Sequence, residues 1–152
     1  MLWHEGCIDK FRKMGFPPAF TNCIRAWLEN RRGGPQGSSL TPTVFISYHA
    51  YTPAFLSWTS SHLFADDLAA LVAGQIGLKF SIQCTDREKR LKLFCDQLEY
   101  YCLLTLPPIN YNKTETLWTR RATFSPQFDI ILGGHTIKWT KEVKYLEYNI
   151  TQ

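Results

Sequence analysis

The sequence predicts an α+β domain in which helices pack on an antiparallel sheet with short hairpins. Apolar residues recur at helical spacing through the first fifty residues and again beyond Thr85, whereas short apolar runs cut by turn residues take over after His62 and after Pro108. Helices and hairpins are gathered in blocks rather than alternating one by one, which argues against a βαβ sheet. With 152 residues and 45% hydrophobic content, the chain is long enough for one core and too short for two comfortable ones.

Cys7, Ile8, Phe11 and Met14 lie at helical spacing, Gly15 supplies a stop, and Pro17-Pro18 begin rather than continue a helix. Phe20, Ile24, Trp27 and Leu28 put one apolar stripe on a second helix, predicted to end near Arg31-Arg32. The stretch Gly33-Gly34-Pro35-Gln36-Gly37-Ser38 breaks the periodicity and opens onto a third helix carrying Leu40, Val44, Phe45 and Tyr48, with Pro42 tolerated in its first turn. From His62 the runs HLF and LAALVA, separated by Ala65-Asp66-Asp67, predict a tight hairpin with the acidic pair at its tip. Thr85 and Glu88 have the spacing of a capping box, and Leu91, Phe94, Leu98, Tyr101 and Cys102 carry a stripe along a long helix that ends before Pro107-Pro108. The remainder reads as strands: a segment from Lys113 to Trp118, the hairpin FDIIL-GG-HTIKW, and a last strand from Val143 to Ile150.

Net charge is +4, which suits a polyanionic partner and also fits many ordinary proteins. The five cysteines Cys7, Cys23, Cys84, Cys95 and Cys102 include no CxxC pair and sit among apolar residues, so they read as reduced core cysteines. His4, His49, His62 and His135 show no zinc-binding spacing and read as structural or solvated. The start, MLWHEGCIDKFRK, is charged and lacks a secretory apolar segment, and nowhere do roughly 18 apolar residues run together as a membrane span requires. The expectation is an intracellular protein, cytoplasmic or nuclear, without a membrane partner. A first residue placed directly on an amphipathic segment leads us to expect further sequence upstream.

Adjacent carboxylates at a hairpin tip concentrate negative charge where desolvation is modest, and Mg²⁺ commonly takes one or two carboxylates while water and phosphates complete its octahedron. Asp66 would be the direct ligand, with Asp67 a second ligand or an orienting neighbour, because successive strand side chains point to opposite faces. Taken alone, an Asp-Asp pair is most often turn chemistry. In the upstream loop Pro35 stiffens the chain, Gly37 permits close backbone approach, Gln36 offers an amide, and Ser38 can cap the helix whose free N–H groups favour an anion.

The order of GGPQGSSLTPTVF, FADDLA, NYNKTETLW and KYLEYNI resembles the successive palm motifs of non-LTR (LINE-type) retrotransposon reverse transcriptases, and WHEGCIDKFRKMGFP resembles the stretch after their first aspartate motif. The resemblance spans nearly the whole chain. It implies a partial reverse transcriptase palm over residues 1–152, with fingers and first aspartate motif absent, from an enzyme that transfers nucleotidyl groups from deoxynucleoside triphosphates to the 3′-hydroxyl of a DNA primer on an RNA template with Mg²⁺, releasing pyrophosphate. By that resemblance Asp66 and Asp67 hold metal, Lys113 sits at the leaving pyrophosphate, Gln36, Gly37 and Ser38 contact template and nucleotide, and Tyr145 and Leu146 contact primer. Two metals about 3.5–4 Å apart need carboxylates from different strands, so one hairpin implies a chain inactive alone. The pattern departs at Glu147, where a glycine usually follows Tyr-Leu, and at the PQG loop, which nearly abuts the second helix. A non-catalytic nucleic-acid-binding remnant is the alternative, and an unrelated phosphohydrolase using the Asp pair would lack a supporting histidine or acidic cluster.

Overall fold

The computed structural model describes residues 4–30, 37–56, 59–74, 77, 79–105, 107–119, 126 and 128–151, and its class is α+β. Helix α1 (His4–Lys13) carries Glu5 in its first turn and Lys10, Arg12 and Lys13 in its last, matching the helix dipole, and buries Cys7, Ile8 and Phe11. Gly15, at φ +83°, turns the chain, and α2 (Pro18–Leu28) starts with proline at a position that needs no N–H donor. The second helix closes at Leu28, short of the expected Arg31-Arg32, because Asn30 takes a left-handed φ of +59°. Those arginines lie outside the described residues. Helix α3 (Leu40–His49) lays Val44 and Tyr48 on α1 and α2, closing a core of Cys7, Ile8, Phe11, Ile24, Leu28, Val44 and Tyr48. Ile8, Ile24 and Leu28 are each only 1% exposed, so each contributes roughly 2 kcal/mol of apolar burial.

A single turn, α4 (Thr52–Phe55), leads into the hairpin β1 (Ser60–Phe64) and β2 (Asp67–Leu71), and then into the 26-residue helix α5 (Phe80–Thr105). That helix begins five residues before the expected capping box. Thr85 is inside it, donating its hydroxyl back to the Ser81 carbonyl at 3.2 Å, so Thr85 and Glu88 are helix-interior residues that mimic a start signal. The basic residues Arg87, Lys89, Arg90 and Lys92 consequently lie in the second to fourth turns, beyond the reach of the N-terminal dipole.

After α5 come β3 (Thr116–Leu117), β4 (Ile130–Leu132), β5 (His135–Ile137), β6 (Trp139–Thr140), β7 (Glu142–Tyr145) and β8 (Tyr148–Thr151). Among the described residues the eight strands form two-stranded ladders rather than one sheet: β1 with β2, β4 with β5 and β7 with β8 antiparallel, and β3 with β6 parallel. Lys113 is in a turn rather than a strand, its N–H bonded to the Asn110 carbonyl at 3.1 Å, and the extended segment is confined to Thr116 and Leu117. The expected last strand is a hairpin, because Leu146 and Glu147 both take positive φ and reverse the chain. Ile130 and Leu132 face α5 while Ile131 faces solvent, and with Cys95 and Ile137 they form a second core flanked by Leu91, Phe94, Leu98 and Trp139.

Between the cores lies a buried polar cluster. Thr52 donates to the Tyr101 hydroxyl at 2.6 Å, and that hydroxyl lies 2.7 Å from His49 Nδ1. With its oxygen accepting from Thr52, Tyr101 donates its proton to Nδ1, which requires a neutral imidazole. Burial, followed by the positive charge of Lys10, holds the His49 pKa down at about 4, in keeping with that tautomer.

Candidate functional site

The β1–β2 hairpin places the acidic pair. Phe64 faces Asp67 across the closing rung, leaving Ala65 and Asp66 as a two-residue loop. Ala65 stands at φ +50°, where such loops favour glycine, so the turn carries a modest local strain. Asp66 is at the tip and Asp67 opens β2; both side chains are exposed, as is Phe64 beside them. The base of the hairpin is held where Arg90 donates to the Ala73 carbonyl at 2.8 Å and where β1 packs on α4.

Two exposed carboxylates are as many as a Mg²⁺ that keeps most of its water commonly takes, since the ion dehydrates reluctantly. They do not make a closed cage: among the described residues no group of three or more His, Cys, Asp and Glu side chains converges. A two-metal arrangement would need a further carboxylate facing the pair.

The other residues singled out from the sequence sit on separate segments of the chain. Gln36 lies outside the described residues, Gly37 takes φ +80°, and Ser38 Oγ accepts from the Leu40 N–H at 3.3 Å while its carbonyl accepts from the Thr41 N–H at 3.2 Å. Ser38 therefore ties down the entry to α3 from one residue further out than a regular cap, which falls at Ser39. Lys113 is exposed in a turn whose neighbour Tyr111 stacks on His135 at 4.4 Å and fills the space above Gly133. No hydrogen bond or ion pair among the described residues joins Lys113 to Asp66 or Asp67. Tyr145 is half-buried at the end of β7, and Leu146, at φ +48°, projects from the turn. Glu147 adopts φ +66° and pairs with Lys144 at 2.6 Å.

Two features escaped the sequence pattern. Lys10 donates to the Tyr48 carbonyl and lies 5.5 Å from the Tyr48 ring centre and 4.7 Å from that of Tyr51, in a cleft of about 730 Å³ that Leu104 and Thr105 also line. The end of α3 thus presents a carbonyl towards the ammonium, a favourable placement of a cation, while the Thr105 carbonyl at the end of α5 accepts from the Tyr48 hydroxyl at 3.0 Å. The His49–Thr52–Tyr101 cluster joins positions 49 to 52 residues apart, a pairing that periodicity cannot reveal. Cys7 and Cys95 are buried, and Cys7, Cys95 and Cys102 all have their thiol pKa raised to about 11 by burial, which keeps them inert. Cys23 differs from the expectation, being exposed on α2.

Neither the cleft around Lys10 nor a second one of about 440 Å³ between α1 and α2 includes Asp66, Asp67 or Lys113. Comparison with protein-family models, curated proteins and solved structures finds no match. No helix among the described residues is long and apolar enough to cross a membrane.

Proposed function

We propose that the chain is a piece of an RNA-directed DNA polymerase palm of the non-LTR retrotransposon type, ancestrally Mg²⁺-dependent, and that it does not polymerise by itself. The observation that carries this reading is a hairpin offering Asp66 and Asp67 to solvent at its tip, midway in the ordered series GGPQGSSLTPTVF, FADDLA, NYNKTETLW and KYLEYNI. A second feature supports it. Glu147 stands where the resembled motif has glycine, and its backbone keeps the left-handed φ that glycine adopts without strain. Under this reading Asp66 and Asp67 bind one hydrated cation, Lys113 neutralises phosphate charge, Gln36, Gly37 and Ser38 meet template and nucleotide, and Tyr145 and Leu146 meet the primer. Inactivity is expected under this reading because a two-metal site needs a further carboxylate facing the pair, and among the described residues no third His, Cys, Asp or Glu joins Asp66 and Asp67.

Paramagnetic Mn²⁺ standing in for Mg²⁺ is expected to broaden the amide signals of residues 65–67, and Asp66→Ala to abolish that broadening. Broadening confined to other segments would remove the cation cradle. On an RNA template with a DNA primer, residues 1–152 are expected to add no nucleotide; templated extension lost in Asp66→Ala would refute the inactivity. Salt-sensitive retention of an RNA/DNA hybrid without Mn²⁺ broadening at the hairpin would favour the non-catalytic binding remnant instead.

A further inference from the structure

Helix α5 packs on the rest of the chain through Leu91, Phe94, Cys95, Leu98 and Tyr101, and leaves its opposite face open. Along that open face Ile82, Lys89, Asp96 and Leu103 stand seven residues apart, all exposed, Ile82 at 52% and Leu103 at 75%. Seven residues are close to two turns, so the four form one stripe about 32 Å long. Leu93 and Tyr100, also exposed, flank it.

The order of the stripe is apolar, cationic, anionic, apolar. Read backwards it complements itself: a second α5 laid antiparallel, with the twofold axis between Lys92 and Leu93, sets Ile82 against Leu103 and Lys89 against Asp96 at both ends of the axis. Placed parallel and in register, the same stripe would set lysine on lysine and aspartate on aspartate. We propose that this face pairs with a second copy of the chain, α5 against α5 in antiparallel twofold arrangement. The interface is isologous, so each favourable contact occurs twice. Its apolar ends exclude water and its central charges fix direction and register, as polar positions do in paired helices.

Light scattering and sedimentation across a concentration series test the pairing. The unaltered chain is expected to pass from monomer to dimer, with the dimer weakened by salt. Lys89→Glu alone and Asp96→Lys alone, both on the solvent face and expected to keep the circular dichroism of the parent, should each remain monomeric because like charges then meet twice. Mixed in equal amounts, the two variants should form a one-to-one heterodimer, since every meeting of positions 89 and 96 is again between opposite charges. A fold defect cannot produce that recovery. A chain monomeric at its highest soluble concentration, a dimer indifferent to either reversal, or a mixture that stays monomeric would each overturn the proposal.

Discussion

Leu146 and Glu147 hold a conformation that a β-carbon opposes, and the hairpin around them has to supply the difference from its ladder and from the exposed Lys144–Glu147 pair. Glu147→Gly is expected to raise stability by about 1 kcal/mol, read as a higher urea midpoint at unchanged slope, because glycine takes that φ without strain and the lost surface ion pair is worth little. His49 gives the opposite kind of sensitivity. Its folded pKa of about 4 lies below the ordinary 6.5, so the fold favours the neutral ring. The corresponding stability is complete above pH 6.5 and drains away as pH falls towards 4, by at most ~3 kcal/mol. Urea midpoints taken between pH 7 and pH 4 are expected to fall steeply across that window and to fall less in His49→Gln. Tyr101→Phe should cost about 2–4 kcal/mol by leaving Thr52 Oγ1 and His49 Nδ1 buried without the shared hydroxyl.

Helices α1 and α3 are fastened by packing and also by Lys10, whose ammonium meets a carbonyl of α3 and two tyrosine rings. Lys10→Met retains the aliphatic stem and removes the charge; a loss of about 1 kcal/mol, measured by thermal unfolding, is the expected result. The elements that could be read from the sequence are those whose signals are local. Gly133-Gly134, at φ +57° and +76°, is the hairpin loop its composition announces, and the proline pair at 17 and 18 marks the start of α2. Thr85 with Glu88 misled because a threonine hydroxyl can bond backward inside a helix as readily as it caps one. The turn at Leu146-Glu147 was illegible as a chain reversal because neither residue favours the backbone it adopts. The parallel pairing of β3 with β6 joins Thr116 to Trp139 and leaves no periodic trace. At the candidate site the hairpin and its exposed carboxylates were legible, whereas the position of Lys113 was not, since a turn fixed by Asn110 replaced the expected strand.

Two apolar cores, one among α1, α2 and α3 and the other between α5 and the β4–β5 hairpin, are bridged by polar contacts, the His49–Thr52–Tyr101 cluster and the bond from the Tyr48 hydroxyl to the Thr105 carbonyl. Burial of that kind divides a chain into units of unequal resistance to opening. Ile24→Ala is expected to cost 2–5 kcal/mol and to accelerate hydrogen exchange over residues 4–49, while amides of Leu132 and Ile137 keep most of their protection. Uniform acceleration throughout would show a single cooperative unit instead.

Tyr101 and Glu99 belong to one unbroken helix, the first bonded to His49 and the second accepting the N–H of Gly133. Only two residues, about 3 Å of axial rise, separate them. A tilt of this rod cannot loosen one attachment without levering on the other, so whatever leans on the far end of α5 is transmitted to the glycine loop and the imidazole together.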